Sequence, residues 1–229
     1  VGTVTSCDGD TVLGFGHPMF GFGPVDLPMT HASVITCLPS LASSFKITGP
    51  GPVIGRVIQD RRPAIMGVVG EESDTLPFSM ELIFGKNEKK TFNVRVARNE
   101  VLTPWFMEWV LDGALIDAGR EMGKMTLKTK LVMDIEDHGR LVFEDGCAAE
   151  SFPMFLSSMV LEAFQVLWTN SLGPLHFNSV SVDVCVEEEY MKARLEEVQL
   201  GKIRVEPGET VTVSVVLKPH RGRRIVETL

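Results

Sequence analysis

The sequence predicts a mainly β fold in two parts with two inserted helices, and three observations carry that prediction. Short runs rich in valine and threonine recur along the chain, separated by glycine, proline and aspartate turns. Some runs alternate apolar and polar residues, as residues 180–187 do. Two segments, after Thr103 and after Ser151, repeat apolar residues at helical spacing. We therefore expect residues 1–100 to form one β part, and residues 101–229 to form two helices and a second β part.

The first hundred residues carry regularly spaced strand and turn signals. Val4 and Val12 flank a turn at Asp8-Gly9, as the strands of a hairpin do. Gly49-Pro50-Gly51-Pro52 and Asp60-Arg61-Arg62-Pro63 are predicted as further turns. The other predicted strands are 33–38, 43–48, 53–59 and 64–69, with a second hairpin at 77–84 and 91–97. Many short strands at regular spacing are typical of a barrel or a sandwich.

The second part begins with a helix, because Thr103-Pro104 combines an N-cap residue with proline at the first helical position. A strand of period two is predicted at 127–135, with a turn at Asp137-His138-Gly139. A second, almost entirely apolar helix is predicted at 151–170 and should be buried. The final predicted hairpin, 202–205 with 210–217, resembles the end of an immunoglobulin-like sandwich.

Composition excludes several classes of function. The net charge of −8 argues against a nucleic-acid binder, which needs a basic face. No stretch of about eighteen apolar residues predicts a membrane span. The four cysteines are widely spaced, so neither a metal site nor a cofactor is predicted from them, and we interpret them as single buried thiols. Strand patterns reach both ends of the sequence, so we expect it to continue in a longer protein.

The segment Gly14–Gly23 is the most informative motif. It places His17 among four glycines, at the point where a valine and threonine run ends. Glycine adopts backbone angles closed to other residues, so the segment predicts a shaped loop that holds an imidazole at the end of a strand. Histidine changes charge near neutral pH, which makes His17 a candidate for proton transfer.

The opening of the chain also resembles a known family. Val1-Gly2-Thr3-Val4-Thr5, the Asp8-Gly9 turn and Leu13-Gly14-Phe15-Gly16-His17-Pro18 resemble the start of the SpoIVB-type serine peptidases. The likeness continues weakly to Ile65-Met66-Gly67-Val68-Val69-Gly70 and covers about the first third of the chain. It implies a chymotrypsin-like β-barrel, His17 as the general base of a catalytic triad, and a bacterial extracytoplasmic location.

A complete triad would need partners for His17. Asp26 and Asp60 are candidate orienting carboxylates, and Ser43 and Ser44, with Ser40, could offer a hydroxyl. The family's nucleophile lies in a Gly-x-Ser-Gly-x-Pro segment, and no serine of this chain precedes a glycine. The resemblance therefore implies a degenerate or incomplete serine peptidase. The alternative is a non-catalytic module of a larger extracytoplasmic protein, with a structural role or a protein or peptide partner.

Other interpretations of the motif residues remain open. His17 can be a structural histidine hydrogen-bonded within its turn. Cys147 can replace serine as a nucleophile if a histidine lowers its pKa. A zinc site from His17, His31 and Cys37 is disfavoured by their spacing. The glycine spacing also matches neither type of phosphate-binding loop.

Overall fold

The computed structural model confirms the mainly β class. It describes residues 2–41, 44–85, 88–118, 122–151, 153–168 and 170–229. Two compact units are present: the first contains residues 1–78 and 94–107, and the second contains residues 79–93 and 108–229. The chain thus passes between the units more than once, whereas the sequence predicted a single division near residue 100.

The first sheet lies in the first unit. Its strands are β1 (Val4–Asp8), β2 (Thr11–Gly14), β3 (Gly23–Leu38), β4 (Phe45–Arg61) and β5 (Ala64–Val69). They run antiparallel in the order β1-β2-β5-β4-β3. The predicted hairpin around Asp8-Gly9 is confirmed, since Asp8 pairs with Thr11 and Gly9 has a positive φ of 55°.

The turn predicted at Gly49–Pro52 is wrong, because β4 continues through these residues. Gly49 pairs with Ser33 and Pro50 pairs with Ala32. The register shifts on both sides of this stretch, and such irregular ladders accommodate proline and bend the strands. At Gly51 a side chain would meet the backbone of His31, so glycine permits close approach here rather than a turn.

The second sheet includes both predicted helices between its strands. The elements are β6 (Thr75–Phe84), β7 (Glu88–Ala97), α1 (Leu102–Asp117), β8 (Met122–Ile135), β9 (Gly139–Ser151), α2 (Pro153–Trp168) and β10 (Phe177–Glu187). The strand order is β7-β6-β10-β8-β9. Both helices begin within two residues of their predicted starts. Neither of the helices in the described part of the chain is long and apolar enough to cross a membrane.

The core of the second unit follows from alternation along its strands. In β10 the valines at 180, 182, 184 and 186 are buried, while the residues between them are partly exposed. Leu127, Leu131 and Met133 of β8 are fully buried. Phe164 of α2 is also buried, and its ring centroid lies 5.1 Å from that of Phe177 in β10. The helix therefore packs against the apolar side of this sheet.

The third sheet corrects the last predicted hairpin. Its strands are β11 (Ala193–Leu200), β12 (Val213–Pro219) and β13 (Ile225–Thr228), in that order. The turn before β12 is present, since the Glu209 amide donates to the Glu206 carbonyl at 3.0 Å. Residues 202–205 form no strand, and β12 pairs instead with β11, placing Leu217 opposite Leu195. Apolar cross-strand pairs of this kind favour β11 as the partner.

Candidate functional site

The motif loop, residues Gly14–Gly23, connects β2 to β3 and has an unusual backbone. Gly16, Gly21 and Gly23 have φ angles of 69°, 80° and 79°. Phe15 also has a positive φ of 73°, which is uncommon for a residue with a side chain. The glycines are therefore required by the path of the loop, as the sequence predicted.

Asp60 accepts hydrogen bonds from the main chain of the motif loop. It lies near the end of β4, between Gly23 of β3 and Ile65 of β5, and its exposed fraction is 0%. The amide of Met19 donates to Oδ1 at 2.7 Å, and the amides of Phe20 and Gly21 donate to Oδ2 at 2.7 and 2.8 Å. Both carboxylate oxygens are thus engaged by the main chain of the motif loop.

The protonation state of Asp60 follows from two opposing effects. Burial acts to raise the pKa of the carboxyl group. The amides of Met19, Phe20, Gly21 and Phe22 favour the carboxylate and outweigh burial, so its pKa lies below the ordinary value of 3.8. Asp60 is therefore a buried anion at neutral pH, stabilised by hydrogen bonds from main-chain amides.

His17 lies on the outside of the motif loop and is exposed. Its Nδ1 is 2.7 Å from the Pro18 carbonyl oxygen, and its ring centroid lies 5.6 Å from that of Phe15. A carbonyl only accepts, so Nδ1 carries a proton, and Nε2 is the acceptor in the neutral form of the ring. In a catalytic triad that Nδ1–H group donates to a carboxylate. Here it donates to a neighbouring peptide group.

Asp26, the other candidate orienting carboxylate, belongs to a surface network. It accepts a hydrogen bond from the Asp74 amide at 2.9 Å and lies 3.5 Å from Arg56. Arg56 also pairs with Glu71 at 2.6 Å. Within the described residues, no hydrogen bond or ion pair joins His17 to Asp26 or Asp60.

Ser40 and Ser44 lie at the other end of the β3–β4 hairpin. The Ser44 hydroxyl accepts from the Ser40 amide at 3.1 Å and donates to the Ser40 carbonyl at 3.2 Å. These bonds close a local turn and bring no base to the hydroxyl. Ser43 lies outside the described residues.

The alternative chemistries find little support in the geometry. Burial, together with Asp145, raises the pKa of Cys147, which disfavours the thiolate that a nucleophile needs. His31 and Cys37 are exposed on β3. In the part of the chain that the structure describes, no three histidine, cysteine or acidic side chains cluster closely enough to bind a metal.

Sequence reasoning missed an exposed apolar group on the motif loop. Met19, Phe20 and Phe22 are 38%, 45% and 40% exposed, and the two phenyl rings stack with centroids 5.7 Å apart. A signal was present, since three large apolar side chains lie within a glycine-rich turn where polar residues are usual. Because Asp60 binds the amides of these same residues, the fold presents them in a fixed arrangement.

Comparison with protein-family models, curated proteins and solved structures gave no match to this chain.

Proposed function

We propose that this chain is a SpoIVB-type serine-peptidase-like domain that lacks catalytic activity and binds a protein or peptide through its motif loop. The observation that carries the proposal is the role of Asp60. A triad needs a carboxylate that accepts the hydrogen bond from the Nδ1–H group of the base. Both oxygens of Asp60 instead bind main-chain amides, and His17 donates to Pro18.

The absence of a nucleophile motif agrees with that geometry. The chain has no serine followed by glycine, and Ser44 hydrogen-bonds within its own turn. A general base without a hydroxyl or thiol to deprotonate contributes nothing to acyl transfer. What remains of the motif is its rigid backbone and its exposed apolar side chains. Aromatic residues held rigidly at a surface are typical anchors of protein interfaces.

The curvature of the first sheet supports the barrel-like part of the proposal. Val4 pairs with Gly14, Gly14 with Ile65, and Ile65 with Asp60. Thr3 precedes Val4, so it lies at the same level of the sheet as the Asp60 end of β4. Lys46 lies fourteen residues before Asp60, which is roughly 46 Å of straight strand. The Lys46 Nζ nevertheless lies 3.3 Å from the Thr3 Oγ1. Strands β3 and β4 therefore curl back, as strands that form a barrel do.

The competing function is an active SpoIVB-type peptidase, and one observation favours it. The Pro18 carbonyl leaves His17 with an exposed Nε2 in the tautomer that accepts a proton from a nucleophile. Such an enzyme would also need a nucleophilic serine, a role that the hydrogen bonding of Ser44 within its own turn does not support.

A fluorophosphonate probe, which labels activated serines covalently, separates the two functions. We expect no labelling of the chain and no difference between the wild type and His17→Ala. The probe's reaction with a serine peptidase run in parallel controls for its activity. Stoichiometric labelling that disappears in His17→Ala would reject the non-catalytic assignment.

Binding through the motif loop is tested by photo-crosslinking in an extract of the source cells. We expect a crosslinked protein to be lost in Phe20→Ser and retained in His17→Ala, because the aromatic side chain supplies contact area and the imidazole does not. Equal capture by both variants would exclude the motif loop as the binding surface.

A further inference from the structure

The motif loop lies beside the turn that connects β4 to β5. We call residues 61–63, Arg-Arg-Pro, the basic turn. Asp60 immediately precedes this turn, and its carboxylate binds three main-chain amides of the motif loop. Gly23, at the end of the motif loop, pairs with Asp60 in the ladder between β3 and β4. The bonds of Asp60 therefore hold the basic turn next to the exposed apolar side chains of the motif loop.

Both arginines of the basic turn are exposed. The Arg61 Nε donates to the side chain of Gln59 at 2.7 Å. The Arg62 side chain enters no ion pair or hydrogen bond with the residues that the structure describes. A guanidinium group that no carboxylate of its own chain engages is available to bind one from another chain, through two parallel N–H···O bonds.

Lys46 adds a positive charge near the start of the motif loop. The Phe15 amide donates to the Thr3 carbonyl at 3.0 Å, and the Lys46 Nζ lies 3.3 Å from the Thr3 Oγ1. Lys46 is exposed. Cations thus lie close to both the beginning and the end of the motif loop.

No acidic residue offsets these cations in the neighbouring sequence. Residues 1–7, 11–25 and 61–70 contain no aspartate or glutamate, although the chain has 30 acidic residues and a net charge of −8. Asp60 is buried, and both of its oxygens bind main-chain amides. The surface around the motif loop is therefore basic and apolar on an acidic protein, and its charge complements an acidic partner.

The side chains of this surface indicate a protein partner. Aromatic residues, methionine and arginine are enriched in protein interfaces, whereas lysine, aspartate and glutamate are depleted. The motif loop and the basic turn together contain three phenylalanines, one methionine and two arginines, and no lysine, aspartate or glutamate. An anionic membrane fits less well, because its recognition takes about four to eight clustered basic residues and the net charge of −8 opposes the contact.

We propose that the motif loop and the basic turn bind a peptide segment that carries aspartate or glutamate close to an aromatic or large aliphatic side chain. The apolar side chain packs against Phe20 and Phe22, whose rings stack with centroids 5.7 Å apart, and the carboxylate pairs with Arg62. This inference rests on the proposed function, because it names the class of partner that the same loop binds.

Selection from a displayed library of random peptides, with the whole chain as bait, tests this inference. We expect the retained peptides to place an acidic residue within about three positions of an aromatic or large aliphatic residue. Phe20→Ser is the bait for counter-selection, since it removes the ring and keeps the amide that Asp60 binds.

Fluorescence polarisation with the selected peptides measures the contribution of the basic turn. The test variant is Arg62→Glu, and the matched control is Arg223→Glu. Arg223 is exposed just before β13, and its side chain enters no ion pair within the described residues. Both variants change the net charge equally. We expect Arg62→Glu to weaken binding at least about tenfold, and Arg223→Glu to change it by about twofold or less.

Each other outcome rejects the acidic partner in a distinguishable way. Peptides without acidic residues, or equal affinity for the wild type and Arg62→Glu, would overturn this inference, while loss of the same peptides in Phe20→Ser would leave the proposed function standing. Failure to retain any peptide in preference to Phe20→Ser would reject both. Cosedimentation with phosphatidylglycerol vesicles is measured in parallel, and binding that Phe20→Ser abolishes would assign the surface to a membrane instead.

Discussion

The two units are stabilised in different ways. In the second, β8 and β10 alternate buried and partly exposed residues, and α2 packs an apolar face against them through Phe164. In the first, the described core cluster has four buried members, Leu27, Val57, Ala97 and Leu102. The motif loop of that unit is held by the buried carboxylate of Asp60. Leu76, Phe78 and Met107 of the first unit are buried as well. Both units thus bury apolar side chains, and the first adds a polar anchor at its motif loop.

Among the variants that test this comparison, Asp60→Ala is expected to lose the most stability. It leaves three main-chain amides without their acceptor, and we expect it to destabilise the first unit by about 3–5 kcal/mol. Denaturant unfolding followed by hydrogen-exchange mass spectrometry reads the two units separately. Asp26→Ala is the matched control, with an expected cost of about 1 kcal/mol or less for a surface network. If Asp60→Ala and Asp26→Ala lowered the free energy of unfolding equally, Asp60 would not be the anchor of the motif loop.

The same contrast explains what the sequence could predict. The two helices and the 127–135 strand follow from local periodicity, which depends on residues close together in the sequence. The positive φ angles at Gly16, Gly21 and Gly23 follow from glycine's conformational freedom, whereas that of Phe15 does not. The partner of Asp60 does not follow, because its bonds reach residues about forty positions away. The turn predicted at Gly49–Pro52 was wrong for a related reason, because hydrogen bonding with β3 overrides the turn preference of glycine and proline.

A slightly smaller effect is expected in the apolar core of the second unit. Leu131 is fully buried in β8, and Leu131→Ala should cost about 2–5 kcal/mol by leaving a cavity. Val142→Ala on β9 is the control, because Val142 is 51% exposed and should change stability by about 0.5 kcal/mol or less. Urea unfolding gives both values. A core that tolerates Leu131→Ala as easily as Val142→Ala would contradict stabilisation by apolar burial.

The smallest effect concerns a carboxyl group shifted in the direction opposite to Asp60. Burial raises the pKa of Asp183, and the negative charge of Glu81 raises it further. The positive charges of Lys130 and Lys89 lower it, but by less. Its charged form therefore lowers stability at neutral pH, and Asp183→Asn should slightly stabilise the second unit there. The difference in stability between Asp183→Asn and the wild type should disappear as pH falls through the raised pKa, because Asp183 itself then becomes neutral. Thermal unfolding at several pH values measures this, with Asp137→Asn in an exposed turn as the control. A gain that persists in acid would contradict the account.

The pH dependence of Asp60 has the reverse sign. Since its pKa is lowered in the folded state, its contribution is fully present above the ordinary value of 3.8 and is lost as pH falls through the folded pKa. The first unit should therefore lose the Asp60 contribution only in acid, in the same window where the motif loop loses its acceptor.

An acid titration followed by NMR tests the anchoring role of Asp60 most directly. We expect the amide resonances of Met19, Phe20 and Gly21 to shift together, with one midpoint below pH 3.8 that coincides with protonation of the Asp60 carboxyl. If those amides stay still while the ring signals of His17 follow the Asp60 midpoint, the carboxylate serves the imidazole and the non-catalytic account is wrong.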